Sequence, residues 1–495
     1  MEVVKPTRRA KIVATIGPAC ADSEILEKLI ALGTDVARLN FSHGRHEDHA
    51  AVLDRLRAAS RHLNKAVAVL QDLQGPKIRT GSLKAGRAGV RIRSGDELTI
   101  TTEEGLVGDE KLVSTTYPHL AEDVRPGDRL LVDDGLLEFR VLATDGVRVR
   151  TEVVEGGVLG EHKGINLPGV ALRAEALSEK DKADLVFGVT HGVDYVALSF
   201  VRTEDDIRLC REEMEKAGRV VPIIAKIEKP EALDHIDAII AAANGLMVAR
   251  GDLGVEILPE RVPLIQKDLC RRANAAGKPV IIATQMLNSM IDHPRPTRAE
   301  ASDVANAIWD GADAVMLSGE SASGRYPIAS VQMLDRIVRE AESGDGARSL
   351  PSVAPQSTPA PGEWVIAGAA CQAAAVAGAV AICCFTLRGA TARLLSHFRP
   401  NVPIIGFSPD QAIRRRLALL WGVEPRVMEP VKNSELMAEL VSDALLAEGV
   451  VAPGDRVVIV HGSPLGVPGH TNSILLHEIP HPSEPGPGPR YRVPI

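Results

Sequence analysis

The sequence predicts an α/β protein: a (β/α)8 barrel with an inserted β-rich lid domain, followed by a C-terminal α/β domain. Short apolar runs alternate with amphipathic helices along much of the chain, which is typical of parallel strands joined by helices. One connection between these units is far longer than a loop. A second α/β pattern follows a segment rich in Gly, Ser and Pro. Eight regular units favour a closed barrel over the alternative, a doubly wound open sheet.

Eight apolar runs predict the barrel strands, because each is short enough and apolar enough to be buried on both faces of a parallel sheet. Helices are predicted in the gaps between the runs. The helix over residues 297–309 opens with a capping box that pairs Thr297 with Glu300. The runs are residues 11–16, 36–40, 68–73, 195–200, 222–227, 245–248, 279–283 and 314–317.

The long connection predicts an inserted domain. About a hundred residues separate the third run from the next helix, which is too many for a loop. They alternate apolar and polar side chains, as in residues 90–100 and 129–141, and contain Gly-Asp turns. We therefore assign residues 75–168 to a β-rich domain and residues 1–74 and 169–342 to the barrel. An insertion after the third strand would lie over the C-terminal face of the barrel and act as a lid.

The rest of the chain predicts a linker, a third domain and a tail. Residues 343–363 are rich in Gly, Ser and Pro and predict the linker. Residues 364–479 predict a C-terminal α/β domain, and the Pro- and Gly-rich residues 480–495 predict a disordered tail. The longest apolar region, residues 365–385, is interrupted by Gly and Gln. It predicts a buried helix running into a strand rather than a transmembrane helix.

Composition narrows the function classes. The 495 residues carry a formal net charge of −8, and Lys and Arg form no long run, which argues against a nucleic-acid or membrane-surface partner. Residues 1–16 lack the long apolar stretch of a secretory signal. The six cysteines show no metal-type spacing and read as reduced, mostly buried thiols, so we expect a cytoplasmic protein.

Polar residues follow the predicted strands at their C-terminal ends, where barrel enzymes place their active sites. Glu228 and Asp252 end neighbouring strands and suit Mg²⁺, with Mn²⁺ as a second choice. Arg38, Arg79 and Lys226 add positive charge, which implies a strongly anionic substrate such as a phosphorylated carboxylate. One polar strand end alone more often marks a structural cap or ion pair, but the set favours an active site. No P-loop is present, so a nucleotide must be held by lid and rim.

Six segments resemble the signature segments of the pyruvate kinase family. They occur in the family's order, and the resemblance runs from TIGP at 15–18 to GHTN at 469–472, which is almost the whole chain. The segments are ARLNFSHG at 37–44, DLQGPKIRTG at 72–81, KGINLPG at 163–169, MVARGDLGVE at 247–256, ATQML at 283–287 and MLSGE at 316–320.

The resemblance implies transfer of the phosphoryl group of phosphoenolpyruvate to ADP, giving pyruvate and ATP as the last step of glycolysis. It gives Lys226 the role of stabilising the phosphoryl group in transfer. Glu228 and Asp252 would hold Mg²⁺, and Arg38 and Arg79 would bind phosphate. The remaining implied roles are the substrate carboxylate for Gly251, Asp252 and Thr284, the nucleotide for Asn40, His43, Arg79 and Lys163, and a proton relay for Thr284, Ser318 and Glu320. Ser318 and Glu320 have an alternative role as structural hydrogen-bonding groups of the rim.

The resemblance also implies a K⁺ site formed by Asn40, Ser42, Asp72 and the carbonyl oxygen of Leu73. Members that need K⁺ usually carry Glu where this chain has Lys77, and Thr where it has Leu73. An ammonium near the anionic substrate can supply the field that K⁺ supplies elsewhere, so we expect an enzyme that works without K⁺. The alternative is that Lys77 is solvated and that the K⁺ site is retained.

A phosphorylated allosteric effector is implied for the C-terminal domain, in a turn between a strand and a helix. A plain turn with a solvated Arg388 is the alternative reading. The family also implies a homotetramer. Two rival functions are a carbon–carbon lyase on a similar barrel, which needs no nucleotide clamp, and a catalytically idle paralogue that only binds metabolites. The effector residues implied are Thr386, Arg388, Gly389 and Thr391.

Overall fold

The computed structural model describes residues 8–103, 105–170, 173, 175–344, 360–431, 433–467 and 469–481, and only the backbone of residue 87. Most of the predicted linker and nearly all of the predicted tail therefore lie outside the described residues. The chain opens with barrel strands β1 (Lys11–Ile16), β2 (Val36–Asn40) and β3 (Ala68–Asp72), separated by helices α1 (Ser23–Ala31) and α2 (His46–His62).

After β3 the chain leaves the barrel and forms a β-rich domain, as the long alternating connection predicts. Its six-stranded sheet has the order β11-β7-β8-β9-β5-β6, and β10 pairs with β4 in a second, two-stranded sheet. A separate cluster of buried apolar side chains fills this domain. Its elements are β4 (Val90–Ile92), β5 (Glu97–Thr101), β6 (Leu112–Ser114), α3 (Leu120–Asp123), β7 (Arg129–Val132), β8 (Leu137–Thr144), β9 (Arg148–Glu155), β10 (Gly157–Leu159) and β11 (Ile165–Asn166).

The chain then returns to the barrel. Thr297 caps α10 with the predicted capping box, since its side chain accepts from the Glu300 N–H. The elements are α4 (Glu179–Thr190), β12 (Tyr195–Leu198), α5 (Glu204–Lys216), β13 (Ile223–Ile227), α6 (Glu231–Asp234), α7 (Ile236–Ala242), β14 (Gly245–Ala249), α8 (Arg250–Glu256), α9 (Val262–Ala275), β15 (Val280–Ala283), α10 (Arg298–Trp309), β16 (Ala314–Leu317), α11 (Gly319–Ala322) and α12 (Pro327–Ser343).

The predicted closed barrel is confirmed. Its strands are all parallel and follow the order β1-β16-β15-β14-β13-β12-β3-β2 before closing back on β1. Strands such as β1, β13 and β16 are buried along their whole length, which explains why they read as continuous apolar runs. All the carboxyl ends of these strands therefore open on one face, below the lid domain.

The fourth predicted run, residues 195–200, is too long by two residues. β12 ends at Leu198, and Phe200 has a positive φ of 54° that takes the chain out of the sheet. Apolar character alone could not locate this end, because Phe200 follows the strand as an apolar residue in a strained turn. Ser199 and Phe200 thus belong to the face on which the strands end, not to the strand.

The C-terminal domain is a second α/β unit, as predicted. Its sheet has the order β19-β18-β17-β20-β21, with only the edge strand β21 antiparallel to its neighbour. The long apolar region forms a helix followed by a strand. The elements are α13 (Gly362–Ala377), β17 (Ala381–Phe385), α14 (Ala390–His397), β18 (Ile404–Ser408), α15 (Gln411–Leu417), β19 (Val423–Val427), α16 (Ser434–Ala447), β20 (Arg456–Gly462) and β21 (Thr471–Glu478).

Across the part of the chain that the structure describes, no helix combines the length and the apolar character needed to cross a membrane.

The C-terminal domain docks against the face of the barrel on which the strands begin. Leu419 is fully buried in the cluster of side chains that fills the barrel interior. Asp194, just before β12, accepts from Arg57 at 2.8 Å, from Arg415 at 2.9 Å and from the Val69 N–H at 2.8 Å. One buried carboxylate thus joins α2, β3, β12 and α15, and it ties the two domains together.

Replacing Asp194 by Ala is expected to destabilise the protein by about 3–5 kcal/mol, because two arginines would lose their buried partner. The measurement is the urea concentration at the midpoint of unfolding, followed by tryptophan fluorescence and circular dichroism. Lys28→Ala is the matched control, since it removes only the exposed ion pair with Glu24 and should change stability by less than about 0.5 kcal/mol. Equal midpoints for both variants would contradict this role of Asp194.

Candidate active site

A buried lysine lies at the centre of the face on which the barrel strands end. The Lys226 ammonium is 3.1 Å from Asp72 Oδ1 and 3.0 Å from Glu228 Oε1, and it donates to Ser199 Oγ at 2.7 Å. Burial opposes its charge, but the two carboxylates prevail and raise the pKa of Lys226. The lysine is therefore held charged inside the protein, ready to contact an anion.

A second cation is fixed beside it through a shared carboxylate. Arg38 Nε donates to Asp72 Oδ2 at 2.6 Å, and Arg38 Nη1 donates to Thr15 Oγ1 at 2.9 Å. Burial by itself would raise the pKa of Asp72, but Lys226 and Arg38 together hold it below its usual range. Asp72 thus pairs one carboxylate oxygen with each cation and sets the spacing between Lys226 and Arg38.

Glu228 and Asp252 form an acidic pair next to Lys226. Glu228 Oε2 accepts from the Phe200 N–H at 2.7 Å, and the Asp252 carboxylate lies 3.5 Å from the Lys77 ammonium. Burial, reinforced by the neighbouring Asp252, raises the pKa of Glu228 against the opposing effect of Lys226. Two carboxylates that repel each other, one buried and one partly exposed, suit a divalent cation with oxygen ligands. Within the described residues no group of three or more His, Cys, Asp or Glu side chains is placed to hold a metal.

Thr284 lies beside this acidic pair with an unusual backbone. Its φ is +69°, and that of Gln285 is +57°. Thr284 Oγ1 accepts from the Gly251 N–H at 2.7 Å, while Arg250 donates to the Thr284 carbonyl at 2.8 Å. A β-branched residue with positive φ is costly, and such strain is found mostly at functional sites. The surrounding hydrogen bonds hold the hydroxyl next to the backbone of Gly251 and Asp252.

Ser318 and Glu320 differ in whether their side chains are already hydrogen-bonded. Both oxygens of Glu320 accept from backbone, from the Leu287 N–H at 3.0 Å and from the Ser318 N–H at 2.7 Å. Ser318 Oγ is buried and has no hydrogen-bond partner among the described residues. Glu320 therefore fixes the turn after β16, whereas the Ser318 hydroxyl keeps an unused hydrogen-bonding capacity.

Two of the predicted nucleotide residues lie on the barrel and two on the lid. Asn40 ends β2, and its Oδ1 accepts from the Ser42 N–H at 3.1 Å. Burial lowers the pKa of His43, and Arg79 and Arg38 lower it further, so these charges lie near His43. In the lid, Arg79 Nη1 donates to the His162 carbonyl at 3.0 Å. Lys163 lies 2.9 Å from Asp133 and is partly exposed.

The residues predicted for a K⁺ site are all near this cluster. The two oxygens of Asp72 pair with the cationic side chains of Arg38 and Lys226, and the Leu73 carbonyl accepts from Ser199 Oγ at 2.7 Å. The Lys77 side chain is about a quarter exposed, and its ammonium is paired with Asp252 rather than extended into solvent.

The predicted effector residues lie far from this cluster, in the C-terminal domain. Thr386 follows β17 and its Oγ1 accepts from the Gly389 N–H at 2.9 Å, which closes the turn before α14. Thr391 Oγ1 is 2.7 Å from Thr471 Oγ1. Thr386, Arg388 and Thr391 line a cavity of about 1000 Å³ whose wall also includes the end of α9 in the barrel.

Sequence reasoning missed three groups that organise the site. Ser199 Oγ links Lys226 to the Leu73 carbonyl, the Phe200 N–H binds Glu228, and Thr15 Oγ1 accepts from Arg38. Thr15 is nearly fully buried within β1, and although it begins the TIGP segment, the resemblance assigned it no role in the site. Ser199 and Phe200 could have been found by applying to the fourth strand the strand-end rule that identified the others.

Comparisons with known proteins identify the family to which the chain is similar. A family model described as pyruvate kinase, barrel domain, matches residues 7–331, and one described as pyruvate kinase, alpha/beta domain, matches residues 365–477. A pyruvate kinase of Mycobacterium tuberculosis is 46% identical over 473 residues, covering 96% of this chain and 99% of the relative. A pyruvate kinase of Corynebacterium glutamicum is 46% identical over 470 residues, covering 95% and 97%.

A solved structure resembles the whole fold as well. The crystal structure of a pyruvate kinase from Cryptosporidium parvum aligns with a TM-score of 0.87 and 36% sequence identity, covering 96% of each chain. The sequence segments, the barrel with its inserted and C-terminal domains, and relatives that match along nearly their full length all agree. The chain is therefore a phosphotransferase that belongs to the pyruvate kinase family.

Proposed function

We propose that the protein transfers the phosphoryl group of phosphoenolpyruvate to ADP and releases pyruvate and ATP, the last step of glycolysis. The observation that carries this proposal is the buried Lys226 ammonium, held between Asp72 and Glu228 at 3.1 and 3.0 Å. Phosphoryl transfer requires positive charge fixed around the equatorial oxygens of the moving group. Lys226 and Arg38 are two such charges, and their spacing is preset by Asp72.

The substrate carboxylate would lie next to helix α8. The Gly251 N–H now donates to the Thr284 hydroxyl at 2.7 Å, while that hydroxyl donates to the Ala283 carbonyl, and both groups can donate instead to a carboxylate that enters between them. Asp252 is adjacent in sequence and only partly exposed. Fixing the carboxylate here directs the phosphate of the substrate toward Lys226 and Arg38, which is the positioning that lowers the barrier.

Glu228 and Asp252 would hold a divalent cation, Mg²⁺ or Mn²⁺, since hard oxygen donors suit both ions. When bound, the cation would neutralise charge on phosphoryl and enolate oxygens. Lys226 and Lys77 now pair with these two carboxylates at 3.0 and 3.5 Å. Both ammoniums are thereby placed within reach of a phosphate bound beside these carboxylates.

The enolate left after transfer must receive a proton at carbon, and a hydroxyl donor is the most economical source. Thr284 lies beside the proposed carboxylate site, and the Ser318 hydroxyl is buried with no partner among the described residues. We assign these two hydroxyls to proton delivery. Glu320 keeps a positioning role, because its two oxygens are taken by the Leu287 and Ser318 N–H groups.

Potassium independence is part of the proposal. Lys77 lies within 3.5 Å of Asp252, and so beside the place assigned to the substrate. This supports a tethered cation over the alternative of a solvated lysine. Because both Asp72 oxygens are already paired with Lys226 and Arg38, an added K⁺ would have to compete for its principal anionic ligand.

The nucleotide, the effector and the assembly complete the proposal. ADP would be held between His43 and Asn40 of the barrel and Lys163 and Arg79 of the lid. A phosphorylated effector would bind the turn after β17, where Arg388 lines a cavity of about 1000 Å³. We further propose a homotetramer in the cytoplasm, a compartment that suits the thiols of this chain, none of which is disulfide-bonded.

The function is tested by measuring pyruvate formation from phosphoenolpyruvate and ADP with Mg²⁺ in buffer free of K⁺. We expect full activity there and less than a twofold change on adding K⁺. A folded protein that makes no pyruvate in either buffer, with candidate effectors supplied, would support the idle-paralogue alternative. Pyruvate released without any need for ADP would instead support the lyase.

Lys226→Met is expected to lower kcat by about 10³-fold, because it removes the charge that contacts the phosphoryl group in transfer. The KM for phosphoenolpyruvate should change little, since Arg38, Gly251 and Thr284 remain. Steady-state kinetics of wild type and variant measure both constants. Lys84→Met, which removes an exposed lysine of the lid, serves as the control. A loss of less than tenfold in kcat for Lys226→Met would contradict the role of Lys226.

Lys77→Glu is expected to make the enzyme depend on K⁺, because the site would lose its tethered cation and gain a carboxylate. In K⁺-free buffer we expect kcat to fall by at least tenfold, and added K⁺ to restore most of it. Lys84→Glu makes the same charge change at an exposed position of the lid and should leave the K⁺ response unchanged. Wild-type activity that requires K⁺, or a Lys77→Glu variant that K⁺ does not rescue, would refute the role of Lys77.

A further inference from the structure

Glu256 occupies a buried junction between the lid and the barrel. Its side chain is only 1% exposed, and its Oε1 accepts from Lys229 at 2.5 Å and from Asn166 Nδ2 at 2.9 Å. Asn166 belongs to β11, the last strand of the lid, and Lys229 directly follows Glu228 in the barrel. One carboxylate oxygen thus joins the lid, helix α8 and the segment that carries Glu228.

Both segments that connect the lid to the barrel meet the same face of α8. Asp252 and Glu256 are four residues apart in this helix, so their side chains lie on one face. The outgoing segment reaches Asp252 through Lys77 at 3.5 Å, and the returning strand β11 reaches Glu256 through Asn166 at 2.9 Å. Helix α8 is therefore the surface against which the lid is held in place.

The two contacts differ in how readily they can be exchanged. The pair of Lys77 with Asp252 is long and about a quarter exposed, and Asp252 has a proposed role with the metal ion. The contacts of Glu256 with Asn166 and Lys229 are short, and all three side chains are buried. Breaking a buried charged contact costs far more than breaking an exposed one. The return strand is therefore the fixed side of the lid.

The fixed side carries the groups assigned to the nucleotide. Lys163 lies three residues before Asn166, and Arg79 pairs with Gly164 through an isolated β-bridge. The Lys163 carbonyl also accepts from the Thr80 N–H at 2.8 Å. The position of Lys163 and Arg79 over the barrel is thus set by a strand whose anchor is the Asn166 side chain.

We propose that Glu256 is a positioning residue: through Asn166 it holds the nucleotide groups of the lid at a set distance from Asp252 and Glu228. This inference rests on the proposed function, because it takes Lys163 and Arg79 as nucleotide groups. Groups that are already held in their bound position bind a ligand more tightly than groups that must first be ordered. Loosening the anchor should therefore weaken ADP binding while the phosphoenolpyruvate site, built on the barrel, remains intact.

The test uses Asn166→Ala, which removes the link to the lid and leaves the pair of Glu256 with Lys229. We expect the KM for ADP, and the Kd of Mg-ADP measured by titration calorimetry, to rise about tenfold. The KM for phosphoenolpyruvate at saturating ADP should stay within twofold. Asn166→Ser, whose side chain is too short to reach Glu256, should show the same changes as Asn166→Ala. It keeps the test valid if Asn166→Ala fails to fold. Lys84→Ala, which removes an exposed ion pair of the lid, should change none of these constants.

A double-mutant cycle then separates positioning from general destabilisation. Because Asn166 would act only through Glu256, Glu256→Ala and the double variant Glu256→Ala/Asn166→Ala should raise the Kd of Mg-ADP equally. Glu256→Gln can still accept from Asn166 and should restore most of the affinity lost in Glu256→Ala. An unchanged Kd in both Asn166 variants, equal losses for both substrates, or additive effects in the cycle would each overturn the proposal.

The nucleotide Kd also keeps this inference distinct from the proposed function. A wild-type protein that binds Mg-ADP but forms no pyruvate would refute the function, and the ratio of Kd values between wild type and Asn166→Ala would still decide the role of Glu256. A wild-type protein that binds no ADP at all would overturn both.

Discussion

The site depends on one constraint: a lysine must stay charged inside the barrel without being neutralised by its neighbours. Lys226 meets it by standing between Asp72 and Glu228, and Asp72 in turn holds Arg38. Each carboxylate serves more than one partner, so the cations are oriented but not saturated. Taking these charges out of water is costly, and additional hydrogen bonds to the buried groups offset part of that cost. This explains why Ser199, Thr15 and the Phe200 N–H are all engaged around the cluster.

The two faces of the barrel differ in how fully their polar groups are satisfied. Where the strands end, polar groups are left partly unsatisfied, as with the Ser318 hydroxyl, or strained, as with Thr284. Where the strands begin, the buried Asp194 accepts from two arginines and one backbone N–H, and the C-terminal domain covers the opening. Stability built at one face compensates for the strain kept at the other.

The sequence predicts a large part of this architecture for clear physical reasons. Buried parallel strands read as apolar runs, and the alternating pattern reveals the inserted domain. Strand ends then identify Arg38, Lys226 and Glu228 without a structure. Contacts between distant segments were out of reach, because nothing local in Asn166 or Glu256 indicates that they meet. Ser199 was not identified because the predicted fourth run, residues 195–200, extends two residues beyond the end of β12 and so assigned Ser199 to the strand. Whether Glu320 holds a turn or moves a proton also required coordinates, since both roles use the same residue type.

The position of Leu419 has a consequence for how the chain is made. This residue belongs to the C-terminal domain, yet it is packed in the interior of the barrel with side chains such as Val13 and Met316. The barrel's last strand, β16, ends at Leu317. During synthesis the ribosome must therefore add about a hundred further residues before the barrel can complete its own core, although domains usually fold in turn from the N-terminus. Until Leu419 has been added, the barrel interior lacks one of the buried side chains that fill it at the face where the strands begin.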